Sequence, residues 1–307
     1  MQIAPIYINV IRLLIARSRH RVRLIPQFSI PGQENAANLC VLLGIRLGRS
    51  KAIAPFMKGG YCDSHAIIMT STLKLMQERQ SVRVPFDPDY PIADEDLKQV
   101  LEAARWAPTP HNMQNFEILV IDDKDVLAKL GSIESRVTED FLRENYEQLS
   151  FSKKELLRKK VGILGTEFPP SFRDPSMFSR VARDCPPMPL NQTIDGSPVV
   201  LIVIYDSRRR APDSEGDVLG LVSLGCVMEN MWLMAQSLGI SVRIMSDFGD
   251  KIVDKEVKRA LHIPDHMNVV YGLRLGYPTT SPAKSLRVRR EVKDFTHHND
   301  YDGKGME

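Results

Sequence analysis

Val218 to Leu238 limits the possible folds more than any other part of the chain. Leu219, Leu221, Val222, Leu224, Val227, Met228, Met231, Trp232, Leu233 and Met234 crowd this segment so closely that a helix built from it has no polar face. Such a helix needs burial on every side. In one domain of this size that points to a subunit interface as part of the cover. A second apolar run, Val199 to Tyr205, is unbroken and reads as a central strand covered on both faces. Phe116 to Ile121 reads as another buried strand. Asp94, Glu95 and Asp96 place negative charge in the first turn of a helix, where the dipole favours it. Leu97, Val100, Leu101 and Ala104 form that helix's apolar stripe, and its end is expected at Trp106. Val126, Leu127, Leu130 and Ile133 mark the buried face of a further helix. This mixture of strands and amphipathic helices predicts an α+β domain.

The stretch from about Thr138 to Ser197 behaves differently. It opens with a charged helical pattern and ends in Cys185-Pro-Pro-Met-Pro189. Phe168, Phe172, Met177 and Phe178 make it too apolar for a plain linker, while its prolines break a continuous helix. A segment of this length inside a compact domain reads either as a lid that shapes a pocket or as an excursion packed against a partner subunit.

Two polar clusters flank the helix that follows Asp94. Arg79, Ser81 and Arg83 are spaced Arg-x-Ser-x-Arg, and Ala107-Pro-Thr-Pro-His-Asn-Met-Gln-Asn115 lies beyond the helix. Guanidinium forks make paired, charge-assisted hydrogen bonds to phosphate, and a serine hydroxyl donates one more. Asn112 and Gln114 carry amides that both donate and accept, as the edge of a heteroaromatic ring requires. Taken singly, each cluster has a plainer reading. The first is a solvated segment ahead of a helix, and the second a turn after Pro108 and Pro110 break that helix.

Together and in this order the motifs resemble the FMN-dependent nitroreductase family. The pieces are Arg79-Gln-Ser-Val-Arg83, Glu102-Ala-Ala-Arg-Trp-Ala-Pro108 and Thr109-Pro-His-Asn112-Met-Gln114. Ser223 to Ile240 is similar to the family's long central helix with its Leu-Gly exit, and Ile263-Pro264 through Leu275-Gly-Tyr-Pro278 to its last core strand. The resemblance implies a nitroreductase-like fold with a central mixed or antiparallel sheet flanked by helices. It also implies an intertwined homodimer with two FMN sites at the interface, each built from both chains. Arg79, Gln80, Ser81 and Arg83 would bind the FMN phosphate and ribityl chain, with Arg287 or Arg289 returning to the phosphate. Pro108, Thr109, Pro110, Asn112 and Gln114 would approach the flavin from the other subunit. Ile244, Met245, Ser246 and Asp247 would lie along the isoalloxazine ring. Three positions depart from the family pattern: Asn115 replaces a proline, Phe116 a tryptophan, and Asp247 stands where glycine or glutamate is common. An acid at Asp247 is expected to alter the flavin's potential unless it faces solvent.

The implied reaction is ping-pong reduction of a small electron-poor acceptor, of nitroaromatic, quinone or enone type, with NAD(P)H as transient donor. Gly162-Ile-Leu-Gly165 is not a dinucleotide fingerprint, and no protein nucleophile is required because the cofactor carries the chemistry. Dehalogenation or flavin cleavage is the alternative within the family. A non-catalytic flavin-binding or sensing protein is the alternative outside it. Arg105, Trp106, Arg180 and Arg183 read as solvated surface ahead of contacts to an anionic acceptor.

Charge is unevenly divided. Of 41 Lys/Arg and 38 Asp/Glu, residues 1 to 76 hold ten basic side chains and only two acids, Glu34 and Asp63. The remaining domain is slightly acidic, which argues against a nucleic-acid partner. Residues 1 to 75 read as a basic extension, and 76 to 307 as the folded domain. The apolar stretch Ile3 to Ala16 is short for a membrane span, which needs about twenty residues, and its arginines follow it rather than precede it as in a secretory signal. A misassigned start, with Met69 as the true one, is expected ahead of an organelle transit peptide. Little order is expected there beyond a helix over residues 3 to 16. Cys40, Cys62, Cys185 and Cys226 show no ligand or disulfide spacing, which predicts a reducing, cytoplasmic setting. Cys226 reads as a small core residue, and adjacent His297 and His298 do not predict a metal site.

Overall fold

Every residue of the strand Val199–Asp206 is buried, because it divides its side chains between two cores. Val199, Leu201, Val203 and Tyr205 enter one, and Val200, Ile202 and Ile204 the other. The structure is a computed structural model that describes residues 72–282 and 286–306. These belong to one compact unit, Ser64–Glu307. The expectations for residues 1–68 lie outside the described residues.

Four strands form the main sheet: β1 (Phe116–Ile121), β2 (Val199–Asp206), β3 (Ser241–Met245) and β4 (Met267–Gly276). Their order is β1-β2-β4-β3, and each neighbouring pair is antiparallel. A register shift between Val203 and Ile204 bends β2 against β4. The helices are α1 (Asp94–Arg105), α2 (Lys124–Gly131), α3 (Lys153–Lys159), α4 (Phe178–Asp184), α5 (Val218–Ser237) and α6 (Lys251–Leu261). On one face of the sheet Val100 and Ala104 of α1 meet Leu224, Val227, Met231, Trp232 and Ala235 of α5. On the other, Leu130 of α2 meets Val253 and Val257 of α6. The domain is α+β, with helices on both faces of an antiparallel sheet.

Helix α1 stops at Arg105, one residue before the expected end. Trp106 is 74% exposed, and its indole Nε1 donates to Glu102 Oε1 at 2.8 Å. Residues 72–78 are helical, and Gln236 of α5 donates to the Leu75 carbonyl. The chain then runs beside the sheet edge, where the Val82 amide donates to the Val242 carbonyl of β3. Phe86 follows, its amide donating to the Asp195 carbonyl. A glycine is required opposite it: Gly196 has φ +74, and a Cβ there would lie 2.4 Å from the Phe86 carbonyl oxygen.

The segment 138–197 has a core of its own. Val137, Leu142, Tyr146, Phe178 and Val181 are buried together, with Phe168, Phe172, Met177, Cys185 and Met188 packed around them. The Tyr146 ring meets Phe168 and Phe172 edge-on, with centroids 4.4 and 5.6 Å apart. Phe178 opens a regular helix, α4, within the part whose prolines predict a broken course. Met188–Pro189 pairs with Glu134–Ser135, closing the segment on itself.

Helix α5 is buried along one side only. Val218, Leu219, Leu221 and Val222 are each about half exposed. Cys226 is half-buried instead of a core residue. The stretch Glu215–Ser237 is long and apolar enough to cross a membrane by length and composition, but the side made by Leu224, Val227, Met231 and Ala235 packs into the domain core.

Candidate functional site

Arg79 and two arginines from the far end of the chain, Arg287 and Arg289, converge at the start of the domain. Arg79, Arg287 and Arg289 line one cavity of about 420 Å³ together with Met76, Gln77 and Glu229. The short helix of residues 72–78 delivers Arg79, α5 supplies Glu229 beneath it, and the C-terminal tail returns the other two arginines. Arg79 is fixed by α5: its guanidinium lies 4.6 Å from the Trp232 ring centroid, and its Nε is 3.3 Å from Glu229 Oε1. Arg287 Nη1 donates to the Gln77 carbonyl at 2.7 Å. Burial, with smaller contributions from the neighbouring Arg289 and Arg79, lowers the pKa of Arg287. Gln80 and Arg83 are exposed and Ser81 is half-buried; none of the three lines this cavity.

The second cluster is a strained turn. Thr109 leads into a short 3-10 helix, Pro110–Asn112, that packs against α5. His111, Asn112 and Gln114 all have positive φ, at 47°, 53° and 43°. Side chains other than glycine enter this region at a cost, and asparagine tolerates it better than glutamine. The Gln114 amide nitrogen of the backbone donates to Thr109 Oγ1, and Gln114 Nε2 donates to Asn112 Oδ1 at 3.0 Å. Both amide side chains are therefore held at the surface with donor and acceptor capacity to spare. Asn115, where the family pattern has proline, is 2% exposed, and neither side-chain amide atom finds a hydrogen-bond partner among the described residues. Its backbone carbonyl accepts from the Asp206 amide.

The third cluster ends β3. Met245 is fully buried against α6, Ile244 packs against the opposite core, and Ser246 is exposed. Asp247 is half-buried and accepts a hydrogen bond from Thr193 Oγ1 at 2.9 Å, so its carboxylate is held by the protein. Among the described residues no hydrogen bond or ion pair joins the Arg79 cavity, the Asn112 turn and the Asp247 segment.

Three charged residues absent from the sequence expectations stand beside these clusters. Arg274 is wholly buried on β4 and donates to the carbonyls of Val82 and Val84, on either side of Arg83. Arg243 pairs with it across the sheet and is half-buried; burial and then Arg83 lower its pKa. Glu229 is the one carboxylate of α5. Each is a lone charge inside an apolar run, the signal that marks a charged residue with a fixed partner.

Two larger clefts, each about 530 Å³, lie elsewhere. In one, Lys129 is spent on the Ala260 carbonyl and Arg259 on Glu256. The other is lined mainly by apolar and acidic residues, and its Lys124 pairs with Asp89. Net charge, more than volume, singles out the Arg79 cavity: three arginines face one carboxylate there, whereas the first cleft sets Lys129, Arg136 and Arg259 against Glu134 and Glu256. Among the described residues no three His, Cys, Asp or Glu side chains gather as a metal site.

A family model described as the Nitroreductase family matches residues 76–277. The chain is 27% identical over 217 residues to the 4-nitrobenzoate reductase of Pseudomonas putida, covering 69% of this chain and 89% of that protein. It is 19% identical over 233 residues to an NADPH-dependent oxidoreductase of Staphylococcus haemolyticus, covering 76% and 75% of the two chains. A solved nitroreductase with bound FMN from Desulfitobacterium hafniense aligns with a TM-score of 0.46 at 21% identity, covering 75% of this chain and 98% of that one. The family match runs from the Arg79 segment to the end of β4, more than half of the chain, and the protein belongs to the nitroreductase family.

Proposed function

We propose that this chain is an FMN-dependent NAD(P)H oxidoreductase that reduces a small electron-poor acceptor. The observation that carries the proposal is the cavity of Arg79, Arg287 and Arg289, whose donor set fits a phosphate monoester. Bound with its phosphate there, FMN would supply two-electron transfer by a ping-pong exchange, in which NAD(P)H donates and leaves before the acceptor enters.

The chain's own residues hold and orient. Arg79, braced on Trp232, and Arg287, braced on Gln77, present fixed donors to the phosphate. Ser81 and Arg83 follow on the segment that Arg274 ties down and are assigned to the rest of the cofactor. The strained Asn112 and Gln114 turn offers amides suited to a ring edge, from the partner subunit of a homodimer. The Ser246 and Asp247 amides are assigned to the ring's electron-rich side, where donors stabilise developing negative charge. Nitroaromatics are the favoured acceptor class, since the relative from Pseudomonas putida is named a 4-nitrobenzoate reductase. We assign the protein to the cytoplasm on its cysteine usage.

The test is the visible absorption of the purified full chain before and after anaerobic addition of NADPH or NADH. A flavin spectrum bleached by either donor supports the reading and names the donor. A flavin spectrum that neither donor bleaches leaves a flavin-binding protein without this turnover. A colourless chain that FMN does not reconstitute ends the proposal.

A further inference from the structure

Glu229 sits where a ligand anion belongs. It is the one carboxylate on α5, it lines the cavity with the three arginines, and its Oε1 lies 3.3 Å from Arg79 Nε. The terminal nitrogens of Arg79 have no partner among the described residues. Arg287 and Arg289 each spend one nitrogen on a backbone carbonyl. Three guanidinium groups and one carboxylate leave the cavity two positive charges in excess, the complement of a phosphate monoester, which carries about −1.5 to −2 at neutral pH.

The contact is also easily exchanged. Both side chains keep solvent contact, at 24% exposure for Arg79 and 40% for Glu229, and an ion pair of this kind is worth little on its own. A phosphate offers the Arg79 fork two oxygens, and no hydrogen bond of its terminal nitrogens competes for them among the described residues. Once the phosphate is seated, Glu229 stands close to a like charge with no cation of its own.

We infer that Glu229 is an internal counter-anion: it neutralises Arg79 when the cavity is empty and opposes the phosphate when it is filled, holding cofactor affinity below what three arginines alone would give. The inference rests on the proposed phosphate site and adds a residue that tunes it. Glu229 weakens binding by repelling the bound phosphate and by competing for Arg79. Trp232, which meets the face of the guanidinium, keeps Arg79 in place when the carboxylate lets go.

The experiment compares the full-length wild-type protein with Glu229→Gln, both stripped of flavin, by quenching of flavin fluorescence on titration with FMN and with riboflavin, and by displacement of FMN with inorganic phosphate. Glutamine keeps the size of the side chain and removes its charge. FMN is expected to bind Glu229→Gln on the order of tenfold more tightly, as removal of one like charge a few ångströms away in a half-exposed site implies. Riboflavin affinity is expected to be unchanged, and the inhibition constant of inorganic phosphate is expected to fall with the FMN dissociation constant, so that the phosphate concentration needed to displace saturating FMN stays about the same in the two proteins. Equal or weaker FMN binding by the variant, with riboflavin unchanged, overturns the inference and leaves Glu229 as a positioning residue for Arg79. A parallel change in riboflavin also overturns it, because the effect then lies outside the phosphate. Wild-type protein that binds FMN no better than riboflavin removes the phosphate site itself, an outcome distinct from the others.

Discussion

Arg274 carries its charge wholly out of water, where an isolated ion is costly. The cost is offset by fixed acceptors. Nη1 donates to the carbonyls of Ile194 and Asp195, and Nη2 to those of Val82 and Val84, at 2.9 to 3.2 Å. The Asp195 carboxylate lies 3.4 Å away, and the Phe86 ring is 4.4 Å from the guanidinium carbon. Burial, then Arg243, brings its pKa down to about 10, so the group stays cationic at neutral pH. One side chain thus clamps the turn before β2 and both flanks of Arg83 onto β4. Replacing Arg274 with methionine keeps most of the volume and orphans the carbonyls. The expected loss is about 3–5 kcal/mol, read as a lower denaturation midpoint with an unchanged slope; a loss under about 1 kcal/mol would mean that water or the backbone satisfies those carbonyls instead. Lysine at 274 should recover only part of the loss, since an ammonium cannot span both carbonyl pairs. This arrangement was half legible in the sequence. An arginine inside Leu273-Arg274-Leu275 marks a buried charge with a partner, but its four acceptors lie about 80 and 190 residues away, and no local pattern names them.

At the scale of elements, legibility followed the range of the interactions. Phe116–Ile121 and Val199–Asp206 are read from sequence almost to the residue, the second because an unbroken apolar run fixes a strand locally; the first, expected to be buried, is instead an edge strand in which only Ile121 is buried. The course of residues 138–197 is not legible in this way. Its helix continues from Glu139–Leu142 into a π-turn at Arg143–Glu147, and that wider turn places Tyr146 against Phe168 and Phe172. Those partners are more than twenty residues away, so periodicity alone gives no sign of the turn. The separate core implies a separate stability. Phe178 is fully buried there, with the Arg143 guanidinium over its ring. Phe178→Ala removes the largest fully buried member, a change that costs about 3–5 kcal/mol in a rigid core. If the segment opens on its own, limited proteolysis of Phe178→Ala should cut within 138–185 while the main thermal transition moves little. Loss of the whole domain in a single transition would instead tie this core to the sheet. The same comparison bears on the lid reading, because a region that opens below the global transition is one that can admit an acceptor.

The whole molecule turns on the uncovered side of α5. Val218, Leu221, Val222 and Gly225 follow at helical spacing along one stripe, with Leu219 beside it, and a Cβ at Gly225 would meet nothing within 4 Å. A contiguous exposed apolar stripe of this kind marks an interaction face. A second copy is the proposed occupant, since two such stripes are self-complementary about a twofold axis. Each Val or Leu side chain fully buried contributes about 1.5–3 kcal/mol; these are already half buried, so each would add roughly half of that, and symmetry counts every contribution twice. Val222→Glu places a carboxylate on both halves of the contact. Sedimentation velocity on the full chain at micromolar concentration is expected to give a dimer for wild type and a monomer for the variant, without detergent in either case. If the Asn112 turn completes the partner's flavin site, the monomer should also lose FMN on gel filtration although its Arg79 cavity is intact. A wild-type monomer with its flavin retained would separate the site from the interface. Wild type that is soluble only in detergent would point to the other occupant that the length and hydropathy of α5 permit, a bilayer.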